Sequence, residues 1–339
     1  MDTVKRLELI RRNTEEIITE KELVDSIIKN KQMVVYWGTA PTGKPHAGYF
    51  FPMLKIADLL RAGFKVKILL ADLHAALDNV KWSILEKRYN YYEKLIPLII
   101  KAVGADTKNL KFVKGSDFQL KPEYMYDVLQ MSSYASVHDT HKAASEVVKQ
   151  GDNPRLSGLI YPIMQAIDEQ YLGVDCQLGG SDQRKIMVLA RENLPRLGYK
   201  ERIEIIHPLI PSLLGGGKMS SSNEKGKIDL LDDEKTVEEK IKNAEMIAKD
   251  TNNGIMAFLK YVIFTVKSDN KEEFVIQRDK KFGGDIKFNN YEELEIEYKA
   301  GKIHPLDIKL AVARELNDLL SIFRKNKKIL NKLAKEAYS

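Results

Sequence analysis

The sequence predicts an α/β chain, a doubly wound parallel sheet followed by a helical region. Three observations carry this. Short apolar runs at 33–36, 66–70, 110–113 and 175–178 are separated by stretches of helical periodicity, the pattern of strands that are buried on both faces. Polar or glycine-rich tips follow the first, second and fourth runs, and the carboxyl ends of parallel strands are where such sheets hold ligands. After about Lys227 the pattern shifts to charged amphipathic helices, with no further tips of this kind.

A length of 339 residues leaves room for two domains. The 54 Lys+Arg against 48 Asp+Glu give a net charge of +6, which permits RNA binding without demanding it. The end of the chain is more basic, with Arg324, Lys325, Lys327, Lys328, Lys332 and Lys335 against Glu336; it reads equally as a phosphate contact or a solvated helix face. The single cysteine, Cys176, excludes an intramolecular disulfide and a Cys-rich zinc site. His138 and His141 lack a third ligand pattern, so no metal site is expected. No apolar run approaches the roughly eighteen residues of a membrane span, and residues 1–21 carry both charge signs, so a cytoplasmic protein without membrane contact is expected.

Residues 2–31 read as two short amphipathic helices with cap-like starts at Thr14 and Thr19. Strand 33–36 leads into Trp37-Gly38-Thr39-Ala40-Pro41-Thr42-Gly43-Lys44-Pro45-His46-Ala47-Gly48-Tyr49, and a helix bearing Met53, Ile56, Leu59 and Leu60 follows. A strand ending in Gly, Thr and Pro that opens a helix with His-x-Gly brings backbone N–H groups, a hydroxyl and an imidazole together, which suits a polyphosphate. Its spacing is neither that of a P-loop nor that of the dinucleotide fingerprint. Strand 66–70 runs into Ala71-Asp72-Leu73-His74-Ala75, a helix over 83–103 and strand 110–113 follow, and helices are expected near 122–131 and 143–150.

Over 156–172, Tyr161, Gln165 and Asp168 fall on one face of a helix bordered by Ile160, Met164 and Leu172. Pro162 either kinks that helix or lies in its first turn. A carboxylate, an amide and a phenol on an apolar face must find partners, either as a structural cluster or as recognition of a small polar ligand. After strand 175–178, Gly179 and Gly180 permit close backbone approach, and Asp182 can accept from ribose hydroxyls or cap the turn. Residues 211–222 then place three glycines before Lys218-Met219-Ser220-Ser221-Ser222, a segment able to close on an anion; the methionine argues against a plain flexible linker.

The Trp37–Tyr49 block resembles the "HIGH" signature of class I aminoacyl-tRNA synthetases, and Lys218-Met219-Ser220-Ser221-Ser222 resembles their "KMSKS" loop. With Ala71–Ala75, Tyr161-Pro162-x-x-Gln165-Ala166-x-Asp168 and Gly179-Gly180-x-Asp182-Gln183-Arg184-Lys185, the chain is similar along nearly its whole length to the tyrosyl branch in its archaeal and eukaryotic cytosolic form. Two positions depart from the signatures: Tyr49 stands where "HIGH" ends in histidine, and Ser221 replaces the second lysine of "KMSKS".

The resemblance implies a Rossmann-like catalytic domain over 1–227, with a dimer-interface insertion at about 115–150, and a helical anticodon-binding domain over 228–339. It implies ATP, accompanied by Mg²⁺, as a substrate beside L-tyrosine and tRNA, and a homodimer. By resemblance Tyr36 and Asp168 meet the substrate phenol, while Tyr161, Gln165 and Gln183 hold its amino group and His74 lies beside it. Gly38, His46, Gly48, Gly180, Asp182, Lys218 and Met219 would take ATP, and Thr42, His46, Gly48, Lys218 and Ser220 would serve catalysis. Gly48 is expected to be small so that the nucleotide can lie against the helix start. Arg184 and Lys185 would meet the acceptor end of tRNA, and Phe282, His304 and Asp307 its anticodon, although a carboxylate at Asp307 also suits a plain helix start. Tryptophan is the rival amino acid, and a binding protein that has lost activation is the rival class.

Overall fold

The computed structural model describes residues 1–148, 153–221 and 223–338. All four expected strands are present: β2 (Val34–Thr39), β3 (Lys65–Leu70), β4 (Leu110–Lys114) and β5 (Cys176–Gly180). Two further strands join them, β1 (Glu16–Ile18) and β6 (Ile203–His207). The sheet order is β1-β6-β5-β2-β3-β4, parallel throughout except where β1 pairs antiparallel with β6. From β2 the chain winds one way through β3 and β4, and from β5 the other way to β6. The reversal lies between β2 and β5, so the tips of these two neighbours open onto one crevice.

The first 31 residues correct the two-helix expectation. Helix α1 (Thr3–Arg11) and helix α2 (Glu20–Ile28) flank β1. Thr19 stands at the start of α2 as expected, but neither threonine caps a helix with its side chain. The Thr14 hydroxyl donates to the Ile10 carbonyl at 2.7 Å, and Thr19 has φ of 61° with its hydroxyl turned to the Ile18 carbonyl. The carbonyls that α1 leaves unpaired at its end are met by the buried Lys55, whose Nζ lies 3.1 Å from Leu9 O and 2.7 Å from Arg12 O.

Lys55 belongs to α3 (Phe50–Arg61), in which every residue from Phe50 to Leu59 is buried. Then come α4 (Asp72–Leu77), α5 (Leu85–Ala102), α6 (Ser116–Gln119) and α7 (Pro122–Tyr134). The helix expected over 143–150 instead spans α8 (Val137–Ala144), because Ser136 caps it by accepting from the Asp139 N–H at 3.0 Å; Gln150 lies outside the described residues. Helix α9 (Leu156–Tyr171) carries Pro162 past its first turn, so Tyr161 lies within the helix and not at its entrance. Helix α10 (Arg184–Asn193) follows β5 through a short 3₁₀ turn.

Beyond residue 227 lie α11 (Glu234–Lys242), α12 (Gly254–Phe258), α13 (Phe264–Asn270), the antiparallel pair β7 (Phe274–Ile276) and β8 (Ile286–Phe288), α14 (Tyr291–Lys299), α15 (Pro305–Lys325) and α16 (Lys327–Tyr338). A π turn, Leu259–Ile263, separates α12 from α13 in what reads as one continuous helix. One apolar cluster runs from Ile10 through the sheet to Ala337, so the helical region shares its core with the sheet. Arg12 adds a polar tie, reaching Asp58 on α3 and, at 2.7 Å, Asp269 on α13.

Candidate active site

At the winding reversal a cleft of about 310 Å³ opens between the tips of β2 and β5. Tyr36, Gly38, Thr42, His46, Gly48, His74, Tyr161, Gln165, Asp168, Gly180, Asp182, Gln183, Lys218 and Met219 all line it. Ser220 does not, and Ser222 lies outside the described residues.

The floor of one end is dry and polar. Asp168 is fully buried, and its Oδ1 accepts from Gln119 Nε2 and the Tyr124 hydroxyl, each at 2.8 Å. Its Oδ2 has no hydrogen-bond partner among the described residues; neither have the Tyr36 hydroxyl and His74 Nε2. His74 Nε2 stands 3.8 Å from Asp168 Oδ2, beyond hydrogen-bond reach. Burial pushes the Asp168 carboxyl up to about 7, against the two hydrogen bonds that favour its charge. Burial likewise raises the Tyr36 phenol, with Glu169 and Asp168 adding to it, and lowers His74 to about 4. At neutral pH this end therefore holds a neutral phenol, a neutral imidazole and a carboxyl near its midpoint. Above them Gln165 donates to Gln183 at 3.1 Å, and the His74 and Tyr161 rings meet edge to face at 4.6 Å.

The other end is built on backbone. His46 caps the 3₁₀ turn Ala47–Tyr49, its Nδ1 accepting from the Gly48 N–H at 3.2 Å. Burial and the charge of Lys227 lower it to about 4, so the ring is neutral and its proton sits on Nε2 as a donor. Gly48 has a reason in the protein itself, because an added Cβ would stand 2.8 Å from His46 Cε1 and 2.9 Å from Nδ1. At Gly38 the protein makes no such demand: a Cβ would meet only ordinary contacts, the nearest 3.5 Å away. Tyr49, at the position where the signature has histidine, lies edge-on to His46 with its hydroxyl 3.2 Å from that of Thr39. Ser221, where the loop signature has lysine, donates to the Lys44 carbonyl at 3.0 Å and packs so closely on Gly43 that a Cβ there would collide with it. Lys218 closes the mouth by pairing with Asp182.

Over residues 28–321 the chain matches the family described as tRNA synthetases class I (W and Y). The chain belongs to that family. Among curated relatives, a cytoplasmic tyrosine–tRNA ligase of Danio rerio is 49% identical over 98% of this chain, and one of Saccharomyces cerevisiae is 46% identical over 93% of it and 82% of its own length. The chain spans about 63% of the length of the vertebrate relatives it matches. Among solved structures, a tyrosyl-tRNA synthetase of Archaeoglobus fulgidus complexed with L-tyrosine superposes with a TM-score of 0.88 at 40% identity, covering 96% of this chain and 99% of that one. A tryptophanyl enzyme of Aeropyrum pernix shares the fold at a TM-score of 0.72 and 18% identity, covering 99% of this chain and 88% of that one.

The remaining expected residues lie away from the cleft lining. Arg184 forks onto Glu16 of β1 at 2.6 and 2.9 Å, and Lys185 pairs with Glu146 at 2.7 Å. Phe282 is exposed with Lys281 over its ring, while His304 caps α15 and Asp307 sits in that helix's first turn. Sequence reading missed Gln119 and Tyr124, the supports of Asp168, and also His207, a buried imidazole at the end of β6 that lines the cleft. It missed Lys227 as well, a buried ammonium that donates to the Ser221 carbonyl at 2.8 Å. Only His207 carried a signal, a polar residue at the end of an apolar run; Gln119, Tyr124 and Lys227 lie in polar stretches.

Proposed function

We propose that this chain activates L-tyrosine with ATP and transfers the tyrosyl group to tRNA. The observation that carries this is the set of three polar atoms without partners at the floor of the slot: Asp168 Oδ2, Tyr36 OH and His74 Nε2. Buried polar groups are costly unless paired, and a phenol hydroxyl entering the slot donates to Asp168 while accepting from Tyr36. A site built this way rejects an analogue that lacks the hydroxyl, tyrosine against phenylalanine being the type case. An indole has no hydroxyl to answer either group. The names of the relatives agree with this reading.

Tyr161, Gln165 and Gln183 take the amino group. The nucleotide lies over Gly38, where the backbone is open, and Gly180, with its ribose on Asp182, its adenine beside Met219 and its phosphates, with their Mg²⁺, at His46, Gly48, Thr42 and Lys218. The tyrosine carboxylate attacks the α-phosphate in line; Nε2–H of His46 and the Lys218 ammonium meet charge as it develops on pyrophosphate, with Ser220 supporting the loop. The acyl group then passes to the terminal ribose of tRNA, with Arg184 and Lys185 at the acceptor end and Phe282, His304 and Asp307 at the anticodon. Both basic residues must exchange a carboxylate partner for phosphate.

A second copy of the chain covers the apolar surface of α6 to α8, where Leu120, Tyr126, Leu129 and Val137 are more than 60% exposed. Two measurements test the reading. Pyrophosphate exchange with tyrosine, tryptophan and phenylalanine separates the substrates, and exchange with tryptophan alone would reject tyrosine. Sedimentation of wild type and Leu129→Asp tests the dimer, which a monomeric wild type would reject. By the same reading the protein works in the cytoplasm.

A further inference from the structure

The turn bearing Thr42 and Gly43 is held from behind by the last described helix. The Gly43 carbonyl accepts two phenolic hydroxyls, that of Tyr92 on α5 at 2.6 Å and that of Tyr338 on α16 at 2.7 Å. The Thr42 carbonyl accepts from Arg88. The same guanidinium donates through Nε to the Ala337 carbonyl at 2.5 Å and lies 3.7 Å from the centroid of the Tyr338 ring. Arg88 and Tyr338 thus form one unit, the cation seated on the aromatic face and both groups bound to consecutive carbonyls of the turn.

None of Arg88, Tyr92 and Tyr338 lines the cleft, so the two carbonyls they capture are directed away from it. That direction matters for a polyanion, since a carbonyl oxygen facing a phosphate repels it, whereas backbone N–H groups attract it. The family match ends at residue 321 and α16 begins at Lys327, so the Tyr338 half of this clamp comes from outside the matched region, while Arg88 and Tyr92 lie within it.

We propose that Tyr338 is a positioning residue for the nucleotide half of the site: helix α16 holds the Thr42–Gly43 carbonyls back so that the turn presents its donors to ATP. This rests on the reading that the His46 end of the cleft takes ATP. It assigns the C-terminal helix a part in amino-acid activation, besides any contact with RNA.

The test is tyrosine-dependent pyrophosphate exchange by the full chain carrying Tyr338→Phe, which removes the hydroxyl and keeps the ring on Arg88. Loss of one hydrogen bond at the turn predicts a KM for ATP raised about fivefold, with the KM for tyrosine within about twofold of wild type. Tyr338→Ala, which also unseats Arg88, should raise it further. An unchanged KM for ATP overturns the proposal, and so does an equal rise in both KM values with a fall in Tm, the mark of a merely structural role. Should Tyr338→Phe fail to fold, Tyr92→Phe removes the other donor from the same carbonyl and carries the same two outcomes. Absence of exchange in wild type would count against the underlying function instead, so the two failures are distinguishable.

Discussion

Lys218 and Asp182 meet across the cleft, the ammonium of the glycine–serine loop bound to the carboxylate that follows β5. Each is assigned to a different part of ATP, so a nucleotide must separate them before it can seat. The pair is partly solvated, with Lys218 42% exposed, and such pairs add little to stability. Lys218→Ala should therefore leave Tm within about two degrees of wild type and tyrosine binding intact, while kcat for exchange falls on the order of a hundredfold. Thermal melts beside exchange kinetics check both halves.

On the proposed function, Asp168 should make tyrosine use depend on pH. Its carboxyl sits near 7, and the ionised form is the stronger acceptor for a phenol, so kcat/KM for tyrosine should fall as pH drops through about 7. Stability runs the opposite way. A carboxyl raised from 3.8 in the unfolded chain to about 7 binds more protons in the fold, so its destabilising effect grows as pH rises from about 4 to 7 and is complete above that. Asp168→Asn should abolish tyrosine-dependent exchange yet raise stability at pH 8, by an amount on the order of 4 kcal/mol that vanishes below pH 4. Denaturant melts at the two pH values decide it.

On the same reading, Tyr124 should act on substrate through Asp168. Its hydroxyl spans the Met164 carbonyl and Asp168 Oδ1, each at 2.8 Å. Removing a donor that favours the carboxylate raises the carboxyl further, so Tyr124→Phe should move the acid limb of the tyrosine profile to higher pH. The KM for tyrosine should rise about tenfold at pH 7, with that for ATP unchanged. A parallel change in both would show mere loosening.

Gly48 is required by His46. A Cβ at 2.8 Å from the ring pushes the imidazole off its hydrogen bond to the Gly48 N–H, so Gly48→Ala should cut exchange at least about tenfold while tyrosine binding, measured by calorimetry without ATP, stays intact.

The parallel sheet and both halves of the cleft were legible in the sequence because each tip is local: an apolar strand of four to six residues, then glycine, proline or a charged residue whose backbone role depends on its own neighbours. Strands β1 and β6 were not legible. The first has three residues, and the second interrupts its apolar run with Glu204 and His207, both buried by elements far away in the chain. Asp168 could be picked from its place on a helix face, but its titration near 7 could not, since that value comes from complete burial and from Gln119 and Tyr124, which are 49 and 44 residues distant. Periodicity reports which face of an element is apolar; it carries no information on which remote donor arrives at that face. The meeting of Tyr338 with Gly43 across 295 residues follows only from how α16 packs on α5, a matter of tertiary contact that no local pattern encodes.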